Sequence, residues 1–271
     1  MKKRLFALTP LIMFTPFSLI ACAQNDPSQQ ATSFINKKDI EGNYINIKLN
    51  EENETFTLDL SKENIKIINS NSFLDGQKTR VFFKNQVIKD DKGNDYTITK
   101  KYYLTKIIFP SSLEKIEESA FRNTTLLEEK FQIQELDFSL ATSLKEIGDS
   151  AFEGNNIISL TLPDSLERIS NLAFANNNIS ELNISENSNL RNIGISAFFN
   201  NKIENLNFKS DKIKFIAKSS FEKNVINSLN FNEKVTGLTI EKSAFKNNSI
   251  SISNVEEISK NETNKINENY K

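Results

Sequence analysis

The chain of 271 residues carries 34 Lys+Arg against 35 Asp+Glu, a formal net charge of −1, with no His, no Trp, one Cys and 21 Phe. Without His there is no Ser-His-Asp triad, no Cys-His pair, no imidazole acid/base and no His-ligated zinc, and a single Cys allows neither an internal disulfide nor a Cys-cluster metal site. The balanced charge excludes the basic excess that a nucleic-acid binder needs to neutralise phosphates, while a hydrophobic fraction of 38% is ample for a core. The 37 Asn, 32 Ile and 29 Lys match AT-rich codons and say nothing by themselves about fold.

Residues 1–21 read as an address. Lys2, Lys3 and Arg4 precede an apolar stretch over 5–20 that is interrupted by Pro10 and Pro16. It is short for a transmembrane helix, which needs about 20 apolar residues, and it has the form of a secretory signal. Leu19-Ile20-Ala21-Cys22 then resembles the lipobox of bacterial lipoproteins. That resemblance implies a diacylglycerol on the Cys22 thiol, cleavage before Cys22, and anchorage on the extracytoplasmic face of the cell membrane. The other reading is a Cys buried in an ordinary signal or anchor. The position of the chain's single Cys favours the lipobox. Residues 22–38 are small and polar, as expected of a flexible tether.

Residues 39–103 contain alternating segments at 44–49, 55–60, 80–83 and 96–99, with a turn at 90–95. They predict a small β-rich region that caps the N-terminal edge of a repeat region beginning at residue 104. Asp90, Asp91, Asn94 and Asp95 surround Gly93, but the Ca²⁺-loop spacing and its closing Glu are missing, so the segment reads as a solvated hairpin turn. Ser70-Asn71-Ser72-Phe73 looks like a fragment of the same repeat, without aligned flanks.

A unit of about 23 residues recurs over 104–253. Its centre is a small residue followed by Phe121, Phe152, Phe174, Phe198, Phe221 or Phe245, at spacings of 31, 22, 24, 23 and 24. An Ile (116, 147, 169, 193, 216, 240) lies five residues before each Phe. A Leu or Ile (113, 144, 166, 190, 213) lies three residues earlier still, and the last unit departs there with Gly237. Three residues after the Phe stands Asn155, Asn177, Asn201, Asn224 or Asn248, with Thr124 in the first unit. A run such as Ile157-x-x-Leu160-x-Leu162 comes after it. The first unit reaches Leu136-x-Phe138 after an insertion of about seven residues. The L-x-L piece predicts a short strand, and Leu-x-x-Ile-x-x-x-Ala-Phe predicts a short helical or 3₁₀ turn packed on it. One unit cannot bury its own apolar face, so the units must stack in parallel into a solenoid. The Asn column is expected to form a hydrogen-bonded ladder between coils; tolerance of left-handed turns is the alternative reason for Asn there.

These units resemble the leucine-rich repeats of the BspA-like type. The resemblance implies an α/β or mainly β leucine-rich-repeat solenoid and a surface protein, in some cases an adhesin for host proteins such as fibronectin or fibrinogen. Residues 254–271 are polar and charged and read as a tail.

Candidate chemistry is sparse. Glu117-Glu118 and Glu128-Glu129 are pairs of a solvated face, and 7 Gly leave little material for a phosphate loop. No enzyme activity, cofactor or metal is expected. What remains is surface: one outward row of Asp137, Thr161, Asn183, Asn207 and Asn230, and a parallel row of Glu135, Ser159, Glu181, Asn205 and Ser228. Either these are wet sheet positions or they form a face for a protein or other macromolecular ligand. Adhesion or host interaction is the leading expectation, and an envelope scaffold is the alternative. A transporter's solute-binding lipoprotein would need a two-lobed chain with a cleft, which the repeat opposes.

Overall fold

The computed structural model describes residues 27–74, 80–124, 128–261 and 264–271; residues 1–21, expected to be a signal, and Cys22 lie outside the described residues. Each repeat closes one coil because its apolar residues fall on two short extended segments joined by tight turns. The first segment carries the repeat's Ile in two-residue strands: β3 (Ile67–Ile68), β6 (Lys115–Ile116), β8 (Glu146–Ile147), β10 (Arg168–Ile169), β12 (Asn192–Ile193), β14 (Phe215–Ile216), β16 (Thr239–Ile240) and β18 (Lys265–Ile266). All eight pair in parallel as one sheet from β3 to β18, in register Ile on Ile.

The second segment forms the opposite wall. It comprises β2 (Thr55–Asp59), the end of β5 (Asp95–Ile108), β7 (Glu135–Asp137), β9 (Ser159–Thr161), β11 (Glu181–Asn183), β13 (Asn205–Phe208), β15 (Ser228–Phe231) and β17 (Ile252–Ser253). Here pairing is also parallel, but it is interrupted between β7 and β9 and again between β11 and β13. The molecule is therefore a mainly β solenoid of short parallel strands with a β-rich N-terminal region.

The helical turn expected around each Ile is absent. A strand stands in its place, and the reason lies three residues beyond the Ile. Ser119, Ser150, Leu172, Ser196, Ser219 and Ser243 all adopt φ between 54° and 61°, a left-handed conformation that stops a right-handed helix. A second left-handed column, Gly154, Asn176, Asn200, Lys223 and Asn247, stands two residues after the Phe. The paired reversals turn the chain around the Phe side chain, which lies fully inside. Phe73, Phe121, Phe152, Phe174, Phe198, Phe221 and Phe245 stack with successive ring centroids 4.6 to 5.3 Å apart. That spacing is close to the strand separation of about 4.8 Å, so rings and backbone share one period.

The coil boundaries differ from those read in the sequence. Residues 55–73 form a complete first coil: Leu58 and Leu60, Ile68 and Phe73 are buried in the repeat positions, and Phe73 stacks on Phe121. The next coil lies 48 residues on because a hairpin, β4 (Val81–Lys89) and β5, is inserted after Phe73. In the hairpin turn the Asp90 carboxylate accepts the backbone N–H groups of Lys92 and Asn94. Hydrogen bonding to Asn94 holds that carboxyl below its usual range. Gly237 is not the departure it looked to be. Val235 fills the Leu position, closing the usual turn onto the Asn232 carbonyl at 3.0 Å, and Thr236-Gly237 bulge outward.

The ends are also covered differently. Residues 27–35 of the supposed tether form helix α1 (Pro27–Ile35), whose Ala31, Phe34 and Ile35 are buried in the common core. Its Gln30 amide closes the open edge of β3: Nε2 donates to the Ile67 carbonyl at 2.9 Å, and Oε1 accepts the Asn69 N–H at 2.8 Å. One side-chain amide thus takes the place of a preceding strand's peptide. A short strand β1 (Ile47–Asn50) pairs antiparallel with β2. The expected C-terminal tail continues the solenoid instead. Val255 and Ile258 of helix α2 (Val255–Ile258) are buried, β18 adds to the sheet, and the Tyr270 carbonyl accepts the Phe245 N–H at 2.7 Å.

Removing one ring from the middle of the stack leaves a cavity that neighbouring coils cannot close. Phe174→Ala is expected to cost about 3–5 kcal/mol. Urea unfolding checks this, and a midpoint unchanged at constant m-value would contradict the stacked core.

Candidate functional site

Two sets of polar residues arise from this geometry, one inside the turns and one on the outer wall. Asn155, Asn177, Asn201 and Asn224 are buried, and Asn248 is partly so. They repeat one pattern. Asn201 Nδ2 donates to the Phe198 carbonyl of its own coil at 3.2 Å and to the Phe174 carbonyl of the preceding coil at 2.9 Å. Its Oδ1 accepts the Ile179 N–H at 3.0 Å. Asn177, Asn224 and Asn248 do the same with Phe152 and Phe174, Phe198 and Phe221, and Phe221 and Phe245. They accept from Ile157, Ile203 and Ile226. Both ends of every amide are committed, and each bridges two coils.

The ladder ends at a residue the sequence did not mark. Asn155 Nδ2 reaches the Phe121 and Phe152 carbonyls, but its Oδ1 meets Arg80 Nη1 at 3.0 Å. Arg80 Nε donates to the Phe73 carbonyl at 2.8 Å, and Nη2 donates to the Phe121 carbonyl. The first two coils have no Asn of their own in this column. Arg80, brought in by the start of the inserted hairpin, supplies the missing donors. Burial pushes its guanidinium down to about 9, so it is still charged at neutral pH. The only sequence signal was a lone Arg at the head of an apolar strand.

On the outer wall the two predicted rows lie side by side, with Leu136, Leu160, Leu182, Leu206 and Leu229 buried between them. Part of the polar surface is already paired. Asn183 Nδ2 donates to Thr161 Oγ1 at 3.3 Å, Ser159 Oγ donates to Glu181 Oε2 at 3.2 Å, and Asn230 Nδ2 donates to Ser228 Oγ at 3.2 Å. Glu135 bonds Lys106, and the Asp137 carboxylate accepts the Ser139 N–H at 3.0 Å. Hydrogen bonding to Ser139 holds the Asp137 carboxyl below its usual range. Asn205 and Asn207, both exposed on β13, make no side-chain hydrogen bond among the described residues. They present two amides, each with donors and an acceptor, in the middle of the wall.

Where pairing lapses between β7 and β9, a groove of about 730 Å³ opens. It takes in Asp137 and Thr161 from one row, Glu135 and Ser159 from the other, and Pro163, Asp164 and Thr142 from the loops. Asp164 and Thr142 were not singled out in the sequence; their loops come after the L-x-L run, where nothing in the repeat marks a groove. No group of three or more His, Cys, Asp or Glu among the described residues is placed to hold a metal ion. No helix among them is long and apolar enough to cross a membrane.

Asn201→Ala removes four hydrogen bonds, the longest at 3.4 Å to the Phe199 carbonyl, and leaves buried carbonyl and N–H groups without partners. At about 1–3 kcal/mol for an orphaned buried group, the expected loss is about 2–4 kcal/mol. Equilibrium denaturation measures it, and a loss below about 0.5 kcal/mol would contradict the bridging role.

Six copies of a repeat family described as "BspA type Leucine rich repeat region" match the chain over residues 53–138 and 145–269. No curated protein matches it.

Proposed function

The chain belongs to the BspA-type leucine-rich-repeat family, and because such repeats suggest protein binding or surface adhesion, we propose a lipid-anchored surface protein that binds a macromolecular partner in adhesion or host contact. Its solenoid works as a binding scaffold, and catalysis has no part in the reading. The observation that carries it is the polar outer wall, with the free amides of Asn205 and Asn207 at its centre. A wall of short strands carrying mostly uncharged donors and acceptors recognises a protein by many hydrogen bonds rather than by long-range steering. Asp137, Thr161, Asn183, Glu181 and Asn230 extend that face, and the groove between β7 and β9 gives it relief. Anchorage rests on Cys22 in Leu19-Ile20-Ala21-Cys22. A diacylglycerol there, together with a further acyl chain, holds the protein on the extracytoplasmic face. A scaffold that holds other envelope proteins is the second reading, because the same wall would serve it.

The test has two arms. Cells carrying Cys22→Ala should release the protein from the membrane fraction; retention and normal processing would overturn the anchor. The immobilised chain should capture a host matrix protein, and Thr161→Lys, Asn183→Lys and Asn207→Lys together should weaken capture about tenfold, the loss of roughly 1.4 kcal/mol. Crosslinks in intact cells to the cell's own envelope proteins alone would overturn host contact in favour of the scaffold.

A further inference from the structure

The inserted hairpin does nothing to close the solenoid beyond its base. β2 pairs with β5 only from Tyr103 onward, while β4 runs along β5 for nine residues out to the turn. The distal part is therefore a two-stranded ribbon, a form that is marginal in water without a third strand or a packed face. It also leaves apolar side chains in solvent: Phe83 is 50% exposed, Val87 64% and Tyr96 47%.

Among the described residues, β4 is the free edge of its sheet. Arg80 accepts from Leu104, and Asp90 donates to Asn94, each at 2.9 Å. Even-numbered residues of β4 therefore turn their backbone groups toward β5. Val81, Phe83, Asn85, Val87 and Lys89 turn theirs outward, toward an absent neighbour. An exposed edge of this kind is a template for another strand, and charged side chains are the usual guard against it. Here the guards are neutralised within the molecule. Lys84 pairs with Glu51 at 2.8 Å, and Lys89 pairs with Asp95 at 2.9 Å.

We propose that β4 is a self-docking edge, and that two copies of the chain pair through it antiparallel about a two-fold axis at Asn85, making one four-stranded sheet. The sequence Val81-Phe82-Phe83-Lys84-Asn85-Gln86-Val87-Ile88-Lys89 is complementary to itself in that register. Phe83 faces Val87 of the second copy, Phe82 faces Ile88, Lys84 faces Gln86, and Asn85 faces Asn85. It is the register that overlaps the whole strand, and it matches outward-facing backbone groups with each other. Moving the axis to Lys84 sets Phe83 against Asn85 and Phe82 against Gln86. Moving it to Gln86 sets Phe83 against Lys89 and leaves Val81 without a partner strand. A two-fold contact of this kind closes on itself and stops at a dimer.

The two-fold axis makes a specific demand on crosslinking. A residue on the axis meets itself, with Cα atoms about 5.5 Å apart in a hydrogen-bonded antiparallel pair, inside the range a disulfide spans. A residue off the axis does not. In the chain carrying Cys22→Ala, under mild oxidation, Asn85→Cys should form a disulfide dimer about tenfold faster than Lys89→Cys. Adding Val87→Lys should abolish the difference. In reducing buffer, sedimentation should show the parent as a dimer and Val87→Lys, which touches only exposed surface, as a monomer. Equal rates for Asn85→Cys and Lys89→Cys would overturn the proposal, as would an unchanged mass on Val87→Lys.

Discussion

Everything in this solenoid depends on what happens to the carbonyl groups at the phenylalanine turn. Each coil reverses direction around a buried ring, and the reversal aims the Phe carbonyl into the stack rather than into water or a strand ladder. A buried carbonyl without a donor costs on the order of 1–3 kcal/mol, and there is one per coil. The Asn three residues later answers it twice, for its own coil and for the coil before, and its Oδ1 takes the N–H of the Ile two residues after the preceding Asn. The hydrophobic effect brings the coils together without fixing their register. The amide bridges fix it, because an Asn displaced by one residue would reach neither carbonyl.

The same constraint explains the ends. A column of bridges must stop, and where it stops a donor or acceptor is stranded. At the start, Arg80 serves the Phe73 and Phe121 carbonyls and the Asn155 Oδ1 together. On the neighbouring strand edge, Gln30 stands where the peptide unit of a preceding coil would pair, no such coil lying there among the described residues. The inserted hairpin therefore has a structural use at its base, where it delivers Arg80. Its outer half is free for another, and the self-complementary edge of β4 belongs to that half.

The repeat was legible because identical problems recur with identical answers. Ala-Phe, the Ile five residues before the Phe and the Asn three residues after it each sit in one environment copied along the axis, so one sequence reveals them. What was not legible is what occurs once. Leu58-x-Leu60 and Ile68 with Ser72-Phe73 fit the repeat, but the hairpin between Phe73 and Phe121 hid the period. Val235 took over a Leu position across a two-residue bulge, and Gly237 drew attention to the wrong place. α1 looked like a tether because its short run of Ala31, Phe34 and Ile35 lies among Gln, Ser and Asn. The local pattern around Ile also suggested a helical turn, since apolar spacings of 3 and 4 suit one; the left-handed residue two positions before each Phe, a Ser in every coil except those with Asn71 and Leu172, was the stronger determinant. On the outer wall, alternation predicted which side chains face outward, but not that Thr161 and Asn183 pair while Asn205 and Asn207 stay free.

The most direct test of the bridging account is hydrogen exchange at single amides. The Ile179 N–H is held by Asn201 Oδ1, and the Ile203 N–H by Asn224 Oδ1. Exchange at both should be slow in the parent chain, near the rate set by opening of the whole coil. In Asn201→Ala, exchange at Ile179 should speed up far more than at Ile203. Equal acceleration at the two amides, or none at Ile179, would show that packing alone sets the register and would contradict the account.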